Sequence, residues 1–111
     1  MSVNPTIYLA KLSDTAPINA ILYGIEEEEV PFEIVTCNKS TMVTAAYDLA
    51  VRSPLSVGIV LDDHQAMLHY KNLPEDEPLF QIGTEPEELM KLGANAARLV
   101  KGIPFKTLKE V

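Results

Sequence analysis

Apolar residues in this chain change their spacing from one segment to the next, and that alternation restricts the fold more than any other feature. Thr6-Ile7-Tyr8-Leu9-Ala10 is a short run with β-branched and aromatic residues, the pattern of a buried strand. Ile18, Ile21, Leu22 and Ile25 then fall at i, i+3, i+4 and i+7, one helical stripe. Pro17 suits that helix's first turn, and Ser13-Asp14-Thr15 offers capping oxygens. Pro31 breaks the helix, and Phe32-Glu33-Ile34-Val35 alternates as a second strand. Asn38, Ser40 and Thr41 are candidate caps for a second helix whose apolar face is Met42, Ala45, Ala46, Leu49 and Ala50. Arg52 suits its C-terminal dipole, and Ser53-Pro54 ends it.

Leu55 to Leu61 is the most apolar strand candidate, expected at the centre of the sheet. Asp62-Asp63-His64-Gln65 reads as a turn and Ala66 to Tyr70 as a returning antiparallel strand. After the proline-bracketed loop Lys71 to Pro78, Leu79 to Ile82 is a candidate edge strand. Thr84 and Glu87 have capping-box spacing for a last helix that buries Leu89, Leu92, Ala96 and Leu99. Lys101-Gly102-Ile103-Pro104 supplies a base, a glycine and a proline where a helix should stop. The resulting order predicts an α/β domain with a mixed sheet, parallel in its first half and carrying an antiparallel hairpin, flanked by three helices.

The 111 residues suit one domain spanning positions 1–111, with the tail after about 106 expected to be loosely held. Hydrophobic content of 47% against 23% charged is that of a globular chain. A formal net charge of −7 with no basic run argues against nucleic acid as a partner. Cys37 is the one cysteine, which excludes an internal disulfide and a Cys-based zinc cluster. No apolar stretch approaches the ~20 residues of a membrane span, and Met-Ser-Val-Asn-Pro does not begin a secretory signal. The expected compartment is the cytoplasm.

Glu26-Glu27-Glu28-Glu29 stands at the end of the first helix, where the dipole favours Lys or Arg. Each carboxylate there costs a few tenths of a kcal/mol up to about 1 kcal/mol. At 100° per residue Glu29 falls near the apolar stripe and Glu27 almost opposite it, so Glu27 should point away from the core. Gly24 inside the helix suggests close backbone approach. The run is either a solvated acidic turn or a carboxylate offered to a hard cation such as Mg²⁺, with another chain supplying the remaining oxygens.

Elsewhere the chemistry is sparse. Neither nucleotide-binding glycine fingerprint is present, nor is the nucleophile elbow. Cys37 reads as a buried or half-buried thiol past a strand end, and His69 as a half-exposed polar partner on a strand. Asp62 and Asp63 follow a core strand, where α/β proteins often place ligands, so a small Mg²⁺-dependent, receiver-like phosphoryl-transfer domain is an alternative. Lys91, Asn95 and Arg98 share a face of the last helix, either solvated or a contact patch. The residues by themselves point to a binding or interaction domain without a catalytic constellation.

Four collinear blocks carry a resemblance. They are Tyr23 to Glu28 with Val30-Pro31-Phe32; Arg52 to Ile59; His69 to Pro74 with Pro78-Leu79-Phe80; and Gly93 to Phe105. Together they resemble the small subunit of diol and glycerol dehydratase reactivating factors, with a fold like the medium subunit of adenosylcobalamin-dependent dehydratases. The resemblance implies a non-catalytic subunit of a chaperone-like factor and a large ATPase partner that alone holds ATP or ADP, in an assembly of two large and two small subunits. It also implies transient contact with the dehydratase large subunit: the small subunit leaves its ATPase, the dehydratase's own subunit docks in its place, and damaged cobalamin escapes. It implies a divalent metal, Mg²⁺, reached by the middle glutamate, here Glu27, with Gly24, Glu26, Glu28, Lys91, Asn95 and Arg98 at the partner interface. A bacterial microcompartment is the alternative location, and a medium-subunit-like component of the dehydratase itself the alternative role. The family pattern carries glycine where this chain has Glu29.

Overall fold

The structure, a computed structural model, describes residues 5–110; the two ends of the expected domain lie outside the described residues. Eight elements follow in the order β1 (Ile7–Lys11), α1 (Asn19–Glu27), β2 (Phe32–Ile34), α2 (Met42–Arg52), β3 (Val57–Leu61), β4 (Ala66–Tyr70), β5 (Phe80–Ile82) and α3 (Pro86–Lys101). They form one five-stranded sheet in the order β2-β1-β3-β4-β5. β1 pairs parallel with β2 and β3, and the β3–β4 and β4–β5 pairs are antiparallel. The mixed sheet, the central position of Val57–Leu61 and the edge position of Phe80–Ile82 are those the sequence predicts.

Alternation along the strands divides the core. Ile7, Leu9, Ile59, Leu61 and Leu68 face α1 and α3, packing on Ile21, Ile25, Leu89 and Leu92. Ala10, Val60 and Met67 face α2, against Ala45, Ala46 and Leu49. β3 is buried on both faces, which is why its sequence is apolar without alternation. The alanine face of α2 lets the helix lie close to β3: a Cβ on Gly58 would stand 2.6 Å from the Ala46 carbonyl oxygen.

α1 and α3 run side by side in the same direction, and two glycines set their separation. A Cβ on Gly24 would stand 2.0 Å from the Met90 carbonyl oxygen, and one on Gly93 2.1 Å from that of Ile21. Each glycine opens a path for the partner helix's backbone, the close approach the sequence suggests for Gly24.

The helix ends depart from expectation in informative ways. Thr41 caps α2 as expected, accepting from the Thr44 amide at 3.3 Å. The capping oxygens expected for α1 are not used; its N-cap is Ile18, and the Thr15 hydroxyl instead donates to Asp63. Nor does Thr84 cap α3: the N-cap is Glu85, and the Thr84 hydroxyl donates to the Asp63 carbonyl. Both threonines tie their loops to the β3–β4 turn, a long-range use that local spacing cannot reveal.

The chain after α3 folds back on the domain. Gly102, at φ 70°, ends α3, and the chain returns along it. The Asn95 amide donates to the Lys106 carbonyl at 2.9 Å and accepts from the Lys106 amide at 2.7 Å. The Glu88 carboxylate accepts from the Lys109 amide, and Glu110 bridges to Ile82 on β5. The segment 103–110 is therefore a strap that lies along α3 and bonds to its side chains. Within the described residues no helix is long and apolar enough to cross a membrane.

Candidate functional site

α1 ends inside the glutamate run. Glu26 and Glu27 occupy its last turn, which contains no basic residue, and Glu28 is the C-cap. Glu29 follows in the left-handed region at φ 60°, its amide donating to the Glu26 carbonyl at 3.0 Å. The helix has ended before Glu29, so its helical-wheel placement beside the apolar stripe does not hold. That conformation costs a non-glycine residue roughly 1–2 kcal/mol, and a glycine would adopt it freely.

The neighbouring helix compensates the charge. Lys101 Nζ lies 2.7 Å from Glu28 Oε1 and donates to the Glu28 carbonyl at 3.0 Å. Arg98 Nε lies 3.2 Å from Glu28 Oε2, and another nitrogen of the same guanidinium donates to the Pro104 carbonyl at 3.0 Å. The Lys101 ammonium, then the Arg98 guanidinium, hold the Glu28 carboxyl below its ordinary range, against the opposing effect of burial. Two bases in the last turn of α3 thus serve the C-terminal ends of both helices.

Glu26, Glu27 and Glu29 are exposed. Glu27 points outward as the helical geometry predicts, and forms no ion pair with any described residue. Among the described residues no group of three or more His, Cys, Asp or Glu side chains could enclose a metal. One free, exposed carboxylate fits a hard cation only as a single ligand, the rest coming from water or another molecule; Mg²⁺ accepts such coordination.

The remaining residues expected at a partner interface separate into two groups. Lys91 is half-buried, its ammonium 3.3 Å from Glu88, and Arg98 is half-buried between Glu28 and the strap. Gly24 and Asn95 are buried inside the chain, the one against α3 and the other against the strap. In the free chain Gly24 and Asn95 are thus engaged in internal packing and hydrogen bonding. Glu28 is likewise spent on Arg98 and Lys101. What sequence reasoning missed was Lys101 as its counter-ion and Glu88 as a strap anchor; the acid at one helix end and the base at another's were the available signal.

Asp62 accepts from the His64 and Gln65 amides at 2.7 and 2.8 Å, and these bonds, His64's first, lower its pKa. Asp63 binds the two threonines described above. The pair is thus occupied in building and tethering a turn, and among the described residues no third metal-ligating side chain joins it. His69 is fully buried rather than half-exposed: the Tyr70 amide donates to Nδ1 at 2.9 Å, and Nε2 faces the Glu75 carbonyl at 2.9 Å. The Tyr47 ring meets it edge-on at 5.2 Å. Cys37 is half-buried, its sulfur 3.8 Å from Asp48.

Comparison with known proteins is consistent over nearly the whole chain. The profile described as dehydratase medium subunit matches residues 4–106. The propanediol dehydratase-reactivating factor small subunit of Salmonella typhimurium (strain LT2) is 42% identical over 107 residues, covering 94% of this chain and 92% of the relative. The diol dehydratase-reactivating factor small subunit of Klebsiella michiganensis is 46% identical over 90 residues, covering 79% and 72%. Among solved structures, a diol dehydratase-reactivating factor complexed with ADP and Mg²⁺ contains a chain with TM-score 0.84 and 38% identity, covering 96% of this chain and 100% of the other. A glycerol dehydratase reactivase chain gives TM-score 0.81 at 30% identity, covering 93% and 97%.

Proposed function

This chain belongs to the dehydratase medium subunit family, and from that membership we propose that it is the non-catalytic small subunit of a dehydratase-reactivating factor. Its partner in this reading is a large ATPase subunit, two of each forming the assembly. ATP and ADP bind the large subunit, and this chain's work is differential binding. It associates with the ATPase in one nucleotide state and leaves it in another. The vacated site accepts the medium subunit of a stalled dehydratase, whose fold this chain shares. Steric conflict then loosens the dehydratase, and damaged cobalamin escapes. The names of the relatives favour this accessory role over that of a component of the dehydratase itself. We place the chain in the cytoplasm or in a bacterial microcompartment.

The observation that carries the reading is the division of labour in the glutamate run. Glu28 is locked by Arg98 and Lys101, whereas its neighbour Glu27 is exposed and unpaired among the described residues. The lock holds the end of α1, so Glu27 is presented from a fixed backbone. When Mg²⁺ is bound, it would join the Glu27 carboxylate to oxygens of the large subunit. The step is one of recognition: it strengthens association without any bond of the substrate being touched.

The test is calorimetric titration of the chain into its large subunit. Glu27→Ala should leave the melting temperature as high or slightly higher, since it removes an unpaired carboxylate from a helix C-terminus, and weaken association in Mg²⁺ by about tenfold or more, the scale of a lost charge pair in an interface. Chelator should weaken the wild-type chain to a similar extent and leave Glu27→Ala unaffected. Equal affinities for both chains, with and without chelator, would defeat the metal bridge.

A further inference from the structure

The two edges of the sheet are protected in different ways. β2 forms one edge, and neighbouring residues blunt it. Pro31 precedes the strand, Glu33 is exposed within it, and Arg52 donates to the Thr36 carbonyl just past its end at 3.2 Å. Proline and charge on an edge strand oppose pairing with a foreign strand. β5 forms the other edge, and Phe80-Gln81-Ile82 contains neither charge nor proline. Left open, such a strand is a template for another chain.

The strap closes it. Ile82 pairs with Ala66 of β4 on one side and forms an antiparallel bridge with Glu110 on the other, so the segment after α3 occupies the outer edge of β5. Phe105 meets Phe80 edge-on at 5.3 Å, and Leu108 packs on the larger core cluster. Two side chains of α3 fix the backbone in this position. The Asn95 amide engages both polar backbone groups of Lys106. The buried Glu88 carboxylate accepts from the Lys109 amide, with the Lys91 ammonium 3.3 Å from its other oxygen. Within residues 103–110 Lys106 and Leu108 are half-buried and the others exposed, so the strap can leave with little loss to the core.

We propose that the strap is an edge guard: residues 106–110 keep the outer edge of β5 closed, and their release exposes a strand that pairs with β5 of a second copy. The residues of β5 favour a second copy as the occupant. An antiparallel pair centred on Gln81 sets Gln81 opposite Gln81 and Phe80 opposite Ile82. Apolar side chains then meet on one face, and no like charges oppose each other within the strand. The device rests on the geometry of this chain alone and is independent of its reading as an accessory subunit.

The test uses the full chain with Lys109→Pro, which removes the amide that Glu88 accepts and leaves α3 unaltered. A second variant combines Glu88→Ala with Asn95→Ala. Sedimentation over a concentration series follows self-association, and hydrogen exchange follows each segment. Wild type should sediment as a monomer. In both variants residues 106–110 should lose about tenfold in exchange protection, the scale of a lost hydrogen bond, while β3 stays slow. Both should sediment as dimers, more completely as concentration rises. Adding Gln81→Lys, which sets like charges opposite each other across the pair, should return them to monomers. Opened variants that stay monomeric overturn the proposal, as does a dimer that Gln81→Lys leaves intact. So does a wild-type chain, its strap closed, whose dimer Gln81→Lys abolishes. Lys109→Pro with unchanged protection at 106–110, or with slow exchange in β3 lost, overturns the strap as a separately held guard.

Discussion

At the scale of single residues, Glu28 and Glu29 show opposite solutions to standing at a helix end. Glu28 is held by Arg98 and Lys101, and the sign of its pH dependence follows from its depressed pKa. The stabilisation is fully present above the ordinary glutamate value of about 4.3 and is lost as pH falls through the lower folded value. Glu28→Gln should therefore flatten the fall in stability below about pH 4.3, measured by urea unfolding across a pH series. Glu29 is held at φ 60° with nothing in its side chain that requires the conformation. Glu29→Gly should raise stability by about 0.5–1 kcal/mol, read as a higher unfolding midpoint, because glycine removes the left-handed penalty. A lower midpoint would show that the glutamate contributes more than its strain costs.

At the scale of elements, the α1–α3 pair depends on two glycines and the strap on two polar anchors. Gly24→Ala and Gly93→Ala should each destabilise the chain by about 1–3 kcal/mol or more, since the added methyl meets backbone that cannot move aside alone. Denaturant unfolding measures this, and a loss below about 0.5 kcal/mol, the ordinary scale for a surface substitution, would contradict the close crossing. Asn95→Ala leaves the Lys106 amide and carbonyl without their partner. Hydrogen exchange at Lys106 should rise sharply while exchange in β3 stays slow, because the strap can open without the sheet. Little of this could be read locally. Gly24 betrayed a close approach by sitting inside a helix, but Asn95 looked like a surface residue because its partner is backbone eleven residues on.

At the scale of the whole molecule, the sheet has a distinct apolar cluster on each face, and the two clusters share their strands. Losing α2 would expose one side of β3, and losing α1 with α3 the other, so neither half should persist alone. Far-UV circular dichroism and tyrosine fluorescence should give coincident urea transitions, with Tyr8 and Tyr47 reporting on the α2 side and Tyr70 on the other. Separate midpoints would show that the layers unfold independently. The asymmetry of the two faces also bears on function. The α1–α3 layer carries the acidic helix end, and with the segment after α3 it carries four of the seven exposed large apolar side chains among the described residues.

The sequence by itself determined the element order, the central and edge strands, and the outward direction of Glu27, because apolar period, proline and glycine act over a few neighbouring residues. Its four blocks also pointed to the family to which the chain belongs. Only the tertiary structure decided how four acids can stand at the end of α1. The answer lies in Arg98 and Lys101, about seventy residues further along. It likewise decided that Asn95 and Gly24 serve the interior, that Thr15 and Thr84 tether a turn, and that the tail is a strap. Each of these is a contact between groups far apart in the chain, and such pairings exist only once the sheet has brought the elements together.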